Sequence, residues 1–413
     1  MRRRAFITAG ATSVGIGWIS NSILGKESAW QNWRGPNRDG LLNGAIWPDS
    51  LDEKSLRSVW IKDFGDSYSG PVLSSDAVFT TESQKGKERV YSVARANGEI
   101  KWKYEWDGAM SVPFFAARNG SWIRSTPATD GKTLFVGGIR DVLVALDCES
   151  GTERWRVDFG KIAGKIPDFG MACSPLVDNE DIYVQAGKGV YRLKASDGST
   201  VWNSLGDNGD MMSSGAFSSP VIQILNGKRQ LVVQTRTKLA GLDLDTGKAD
   251  WTRDVAAFRG MNILTPTLWD NAVFTSSYGG RSLLLDVPNN ASTKVRWDNK
   301  IEGYMSSPII IDHYVYLHMK NKRFACMDLQ SGKELWTTKP YGEYWSMVSN
   351  GKHILALDQN GLLRLIAHNP TEFQMVSERR VSDDECWAHL AVTGNQIAVR
   401  SQKKLTLFDW KAS

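Results

Sequence analysis

Ala145-Leu146-Asp147-Cys148-Glu149-Ser150-Gly151-Thr152-Glu153-Arg154-Trp155 is the stretch whose reading decides the fold. A short apolar strand runs into Asp147, whose carboxylate can accept bonds from turn N–H groups. Gly151 supplies the positive φ that reverses the chain, and a second strand follows with Trp155 on it. The segment is a β-hairpin. The same frame returns in Asp243-Leu244-Asp245-Thr246-Gly247 ahead of Trp251 and in Asp328-Leu329-Gln330-Ser331-Gly332 ahead of Trp336.

Upstream of each such hairpin lies a proline, usually after Ser or Thr, followed by two β-branched strands. Pro71, Pro127, Pro175, Pro220, Pro266 and Pro308 precede Trp102, Trp155, Trp202, Trp251, Trp297 and Trp336 by 31, 28, 27, 31, 31 and 28 residues. That near-constant length fits four short strands joined by tight turns, and a period of this kind belongs to propellers or solenoids. The chain holds 17 Trp against 14 Phe and 11 Tyr, an excess explained by one repeated structural position: a ring packed between neighbouring units with its N–H bonded across.

Six units show the Trp, and a degenerate one spans about 345–380, where Phe373 stands near the expected position. The C-terminal run from Trp387 to Trp410 offers only three strands. Leu56 to Lys62 looks like an outer strand with its Trp60 but has none before it, so it is expected to complete the last unit and close the ring. The fold class is therefore all-β, an eight-bladed β-propeller of four-stranded antiparallel blades over 56–413. The count is seven if the degenerate stretch is not a blade.

The hairpin at Ala145 to Trp155 resembles the pyrroloquinoline-quinone (PQQ) repeat, whose docking pattern is Ala-x-Asp-x-x-Thr/Ser-Gly-x-x-x-Trp. Trp33-Arg34-Gly35-Pro36-Asn37-Arg38-Asp39-Gly40 is similar to the leader of secreted PQQ-like propellers, so 23–55 reads as a leader segment. The family takes in quinoprotein alcohol dehydrogenases and the outer-membrane assembly factor BamB. The resemblance runs from about residue 30 to the end and specifies fold far better than function.

Arg2-Arg3-Arg4-Ala5-Phe6-Ile7 followed by a weakly apolar, Gly- and Thr-containing run reads as a twin-arginine-like signal peptide over 1–22. Export to the periplasm or beyond is expected, with no membrane span once the signal is removed. No Cys follows the apolar run, so a lipid anchor of the BamB kind is not expected. Formal charge is +5, but three of the arginines belong to the signal, leaving 47 basic against 45 acidic residues, a poor footprint for nucleic acid. Cys148, Cys173, Cys326 and Cys386 lie far apart and read as free thiols.

In a propeller the connections between each Trp and the next Pro gather on one face, and here they differ in length, from 11 residues at Trp60–Pro71 to 25 at Trp102–Pro127. Variable loops on a constant scaffold make a binding face, expected over the blades entered at Pro127, Pro175 and Pro220. Tyr68, Trp122, Phe169, Met171, Met211 and Met212 are candidate ligand contacts, with Tyr304, Met305, Trp345 and Trp387 on the later connections. Arg124, Asp168, Arg259, Asn262 and His389 are the candidate polar contacts, and Phe114, Phe115, Met261 and Tyr344 lie in the same connections. Aromatics and methionine suit an adaptable protein or peptide ligand. An envelope polysaccharide is a further partner class, and the propeller itself is expected to be monomeric.

The alternative is a PQQ- and cation-dependent oxidoreductase. The resemblance implies for that chemistry an adjacent Cys-Cys disulfide, carboxylate and amide cation ligands and an Asp base. No adjacent cysteines occur, no haem-attachment Cys pair, and no His-x-x-x-His pair. No catalytic residue, metal site or cofactor is expected, with PQQ and a divalent cation the group to test.

Overall fold

A computed structural model describes residues 29–411, apart from 43, 115, 117–119, 208, 211–212 and 289–291. The signal-peptide segment, Phe115, Met211 and Met212 thus lie outside the described residues. Within them the strands form eight four-stranded antiparallel sheets. Blades 1 to 7 span 72–107, 128–158, 176–204, 221–254, 267–299, 309–337 and 346–380, and blade 8 joins 391–410 to 56–63. Blade 8 closes the ring as expected: Leu56–Asp63 pairs with Lys404–Trp410, with Leu56 opposite Trp410 and Asp63 opposite Lys404.

Blade 2 shows how sequence sets position. Its two middle strands, Thr133–Gly138 and Val142–Asp147, are apolar on both faces and almost wholly buried, because a neighbouring blade covers each side. The first strand, Ala128–Thr129, is only two residues long and touches the first strand of blade 3, which places it on the central channel. The fourth, Glu153–Asp158, is the half-exposed outer rim.

Every blade carries one register shift between its third and fourth strands, such as Ala145/Leu146, directly beside the docking Trp. The indole N–H then donates to a carbonyl in the next blade's turn. Trp60 reaches Arg95, Trp102 Cys148, Trp155 Ala195, Trp202 Leu244, Trp297 Leu329 and Trp336 Asn369, at 2.7–3.0 Å. The bond is worth about 1 kcal/mol and ring burial several, so packing supplies the strength and the bond the register. Five of these rings, those of Trp60, Trp102, Trp155, Trp202 and Trp297, also lie on the turn glycine of the next blade. A Cβ on Gly151 would sit 2.5 Å from Trp102 and one on Gly198 2.6 Å from Trp155, so glycine is needed there for room as well as for its positive φ.

Two seams depart from the rule. Trp251 donates to Gln230 within its own blade, while Asn226 takes the Val287 carbonyl that the pattern assigns to it. In blade 7 the position opposite Leu365 belongs to Ser377, not to Phe373, which packs instead against Trp336 and Tyr341. The leader fills that seam. Leu51 N–H donates to Ser377 Oγ, Trp47 packs on Trp410 at 5.3 Å, and the Trp410 indole donates to Ser50.

The first part of the described leader lies inside the ring, while residues 47–51 run along the seam of blades 7 and 8. Trp30 pairs with Leu73 of blade 1, the Gln31 carbonyl accepts from Thr129 of blade 2, and Leu41 bridges to Ser349 of blade 7. Between these points the chain rises into the channel and returns. Arg38 donates to the carbonyls of Pro175 and Ser174 at 2.6 and 2.9 Å, and Arg34 to that of Pro308. Both arginines are buried. No helix among the described residues is long and apolar enough to cross a membrane.

Candidate functional site at the mouth of the channel

The connections between successive blades converge on the upper mouth of the channel, where they wall a cavity of about 340 Å³. Its lower wall is a belt made by the Ser or Thr that precedes the proline of blades 2 to 6. Gly70 N–H donates to Thr126 Oγ1, Thr126 N–H to Ser174 Oγ, Ser174 N–H to Ser219 Oγ, and Thr265 N–H to Ser307 Oγ, at 2.9–3.1 Å. The Ser/Thr-Pro of the repeat thereby acquires a reason. Its hydroxyl stitches neighbouring blades together at the waist of the channel, and its proline starts a strand where no N–H is required.

Above the belt the wall is aromatic. Tyr68 packs on Trp387 at 4.8 Å, Trp387 on Tyr344 at 4.4 Å and Tyr344 on Tyr304 at 6.0 Å, while Phe169 meets Phe217 edge-on at 5.3 Å across the mouth. Trp33 of the leader is the floor. The guanidiniums of Arg34 and Arg38 stand 5.7 and 5.8 Å from its ring, and His389 meets it edge-on at 5.8 Å.

Burial holds this cup in one charge state at neutral pH. It pushes the His389 imidazole down to about 3, helped by the nearby Arg34 cation, so the ring is neutral. It pushes the Tyr68 phenol up to about 12 and those of Tyr304 and Tyr344 upward as well, so these remain protonated. Burial lowers Arg124 too, but a guanidinium starts so high that it stays charged. Arg124 is thus the charged side chain among the described lining residues. Among the described residues its one hydrogen bond goes to the Gly120 carbonyl at 3.0 Å and its buried Nε has no partner, and its carbon stands 5.7 Å from the Tyr68 ring centre.

Of the candidates named from sequence, Tyr68, Arg124, Phe169, Tyr304, Met305, Trp345, Trp387 and His389 line the cavity. Trp122 stands behind Tyr68, at 5.2 Å. Asp168 faces away toward Lys165, 3.7 Å off. Three others belong elsewhere. Met171 is core, packed with Phe159 and Tyr191; Asn262 is buried and donates to the Arg236 and Val255 carbonyls; Arg259 sits on an exposed turn with φ 51°. Loop position alone does not tell a wall side chain from one that turns back to tie its own loop. The expectation of a site over blades 2 to 4 also gives way to a central cup shared by all eight connections. Trp33, Phe217, Met261 and Tyr344 complete it. Trp33 was legible only as a leader residue, since nothing in Gly35-Pro36-Asn37 says that the segment enters the channel.

A PQQ-type quinone with its divalent cation would need carboxylate or amide oxygens on this wall. The described lining residues contain neither, and no group of three or more His, Cys, Asp or Glu among the described residues could hold a metal. The residues present do not fit a cation-bound quinone.

The family model described as outer membrane protein assembly factor BamB matches residues 87–338, more than half of the chain. The BamB of Yersinia pestis is 19% identical over 410 residues, covering 94% of this chain and 96% of that one. The BamB of Moranella endobia is 24% identical over 250 residues, 57% of this chain and 62% of its own. Among solved structures, Moraxella catarrhalis BamB superposes with a TM-score of 0.65 at 18% identity, covering 86% of this chain and 99% of that one. A europium-containing methanol dehydrogenase gives 0.66 at 12%, covering 92% and 98%. At such identities the structural likeness speaks for the fold alone.

Proposed function

Because the chain belongs to the family of the outer membrane protein assembly factor BamB, we propose that it is an exported binding scaffold that engages an extended protein segment through the upper mouth of its channel. The observation that carries this reading is the cup itself. Eight connections of unequal length bring Tyr68, Phe169, Phe217, Tyr304, Tyr344 and Trp387 around one cavity, with a single cation in its wall. Rigid aromatic walls with few polar groups gain affinity from apolar side chains at little entropic cost. The names of the relatives point to segments of outer-membrane proteins as the ligand class, and the signal-like N-terminus to the periplasm as the place. The oxidoreductase alternative shares the propeller, but the described wall offers its cation no carboxylate or amide oxygen.

The test is calorimetric titration of the mature chain with an array of peptides of about 10 residues, the length of one membrane-spanning β-strand. Tyr304→Ala and Trp387→Ala should each weaken binding about tenfold while leaving the unfolding curve in place. Binding that ignores both substitutions, or an array in which nothing binds, sinks the proposal.

A further inference from the structure

The donors around the cavity outnumber what the protein gives them to bond. Arg124 sits in the wall with one local hydrogen bond, and the side chains acting on its charge include Tyr68 but no carboxylate. Thr126, Ser174 and Ser307 each accept a neighbouring blade's N–H, and their own hydroxyl hydrogens find no acceptor among the described residues. A half-buried cation in a wall that also carries unused hydroxyl donors is complementary to an anion with several acceptor lone pairs, and a guanidinium matches a carboxylate best.

The shape narrows the ligand further. Trp33 closes the channel from below, held there by the Arg34 and Arg38 bonds to Pro308, Pro175 and Ser174. A polypeptide therefore cannot thread the ring, and a cavity of about 340 Å³ has room for a residue or two. We propose that the cavity receives the C-terminus of a partner polypeptide, its α-carboxylate on Arg124 and its last apolar side chain among Tyr68, Tyr304 and Trp387. This rests on the peptide-binding reading above and names the part of the partner that is read.

The test compares three probes by calorimetry on the mature chain: a peptide of about 10 residues ending in leucine with a free carboxylate, the same peptide as its C-terminal amide, and N-acetyl-leucine. The free acid should bind at least about tenfold more tightly than the amide, because a charge-assisted bond to a half-buried guanidinium is lost on amidation. Arg124→Met should erase that preference, and Arg124→Lys should restore only part of it, since an ammonium keeps the charge without the fork. Equal affinity for acid and amide, with both still weakened by Trp387→Ala, overturns the carboxylate proposal and leaves the binding reading standing. N-acetyl-leucine binding as tightly as the peptide overturns the polypeptide as occupant. Failure of both peptides to bind removes the binding reading along with it.

Discussion

Arg38, in the lower half of the channel, spends two N–H groups on carbonyls of blade 3 that lie 136 and 137 residues away in sequence. Arg124, in the upper wall, gives one to a carbonyl four residues away and keeps the rest of its fork unused. Both are guanidiniums in one channel, Arg38 buried and Arg124 half-buried, yet one fastens the chain to itself and the other faces a cavity. The difference teaches that burial of a charge does not assign its role; where its donors go does. Arg38, with Arg34, converts a leader into a floor, and that floor turns an open channel into a cup.

The largest effect should come from breaking the lower end. Arg38→Ala would leave the Pro175 carbonyl without this donor and the Ser174 carbonyl with only the weak bond from the Cys173 thiol, each lost bond costing about 1–3 kcal/mol. We expect a loss of about 2–5 kcal/mol in urea unfolding, together with weaker peptide binding as Trp33 loses its support. A change below about 1 kcal/mol would show that the floor does not depend on this anchor.

That anchor marks the limit of what sequence reading reached. The blades were legible because their signals are local. Asp147, Gly151 and Trp155 fall within one hairpin, and the same chemistry repeats wherever the turn repeats. Ring closure through Leu56–Asp63 was legible because three strands at the C-terminus demanded a fourth. The floor was not, because Trp33 and Arg38 gain their meaning from carbonyls more than a hundred residues away. Asn262 and Met171 misled for the converse reason: they lie in the right connections, but their side chains turn back into loop and core. Ser377 shows the same limit at the seam of blades 7 and 8: the missing Trp was legible, but nothing local says that Leu51 and Trp47 of the leader replace it.

A smaller effect should sharpen the comparison through acid. His389 packs on Trp33 and stacks on Trp30 at 6.4 Å, with Arg34 as its cationic neighbour, and burial with that charge holds its pKa near 3 against an ordinary 6.5. Between those values the unfolded chain binds a proton that the folded chain refuses. Its contribution to stability is therefore complete above about pH 6.5 and is lost as pH falls toward 3, at up to about 1.4 kcal/mol per pH unit. His389→Gln should flatten the decline between about pH 6.5 and 4.5, a window above most carboxylate titrations. His318, lowered to about 4 by its own burial, keeps its share of the slope in both proteins. Identical slopes for the two would mean that the floor does not sense the imidazole's charge.

The smallest effect on stability should belong to the residue with the largest expected effect on binding. Arg124→Met removes one local hydrogen bond and a contact with the Tyr68 ring, worth together about 1–2 kcal/mol. It also removes a guanidinium that burial penalises and that no carboxylate offsets, a change that is often neutral or favourable when an apolar side chain of similar length takes the space. The two terms oppose each other at similar size, so the unfolding free energy should stay within about 1 kcal/mol of the parent, against the several lost at Arg38. Parallel urea titrations of the two variants measure the contrast directly. A loss above about 2 kcal/mol at Arg124 would place it with Arg38 as a structural tie and withdraw the spare donors on which the upper cavity's selectivity rests.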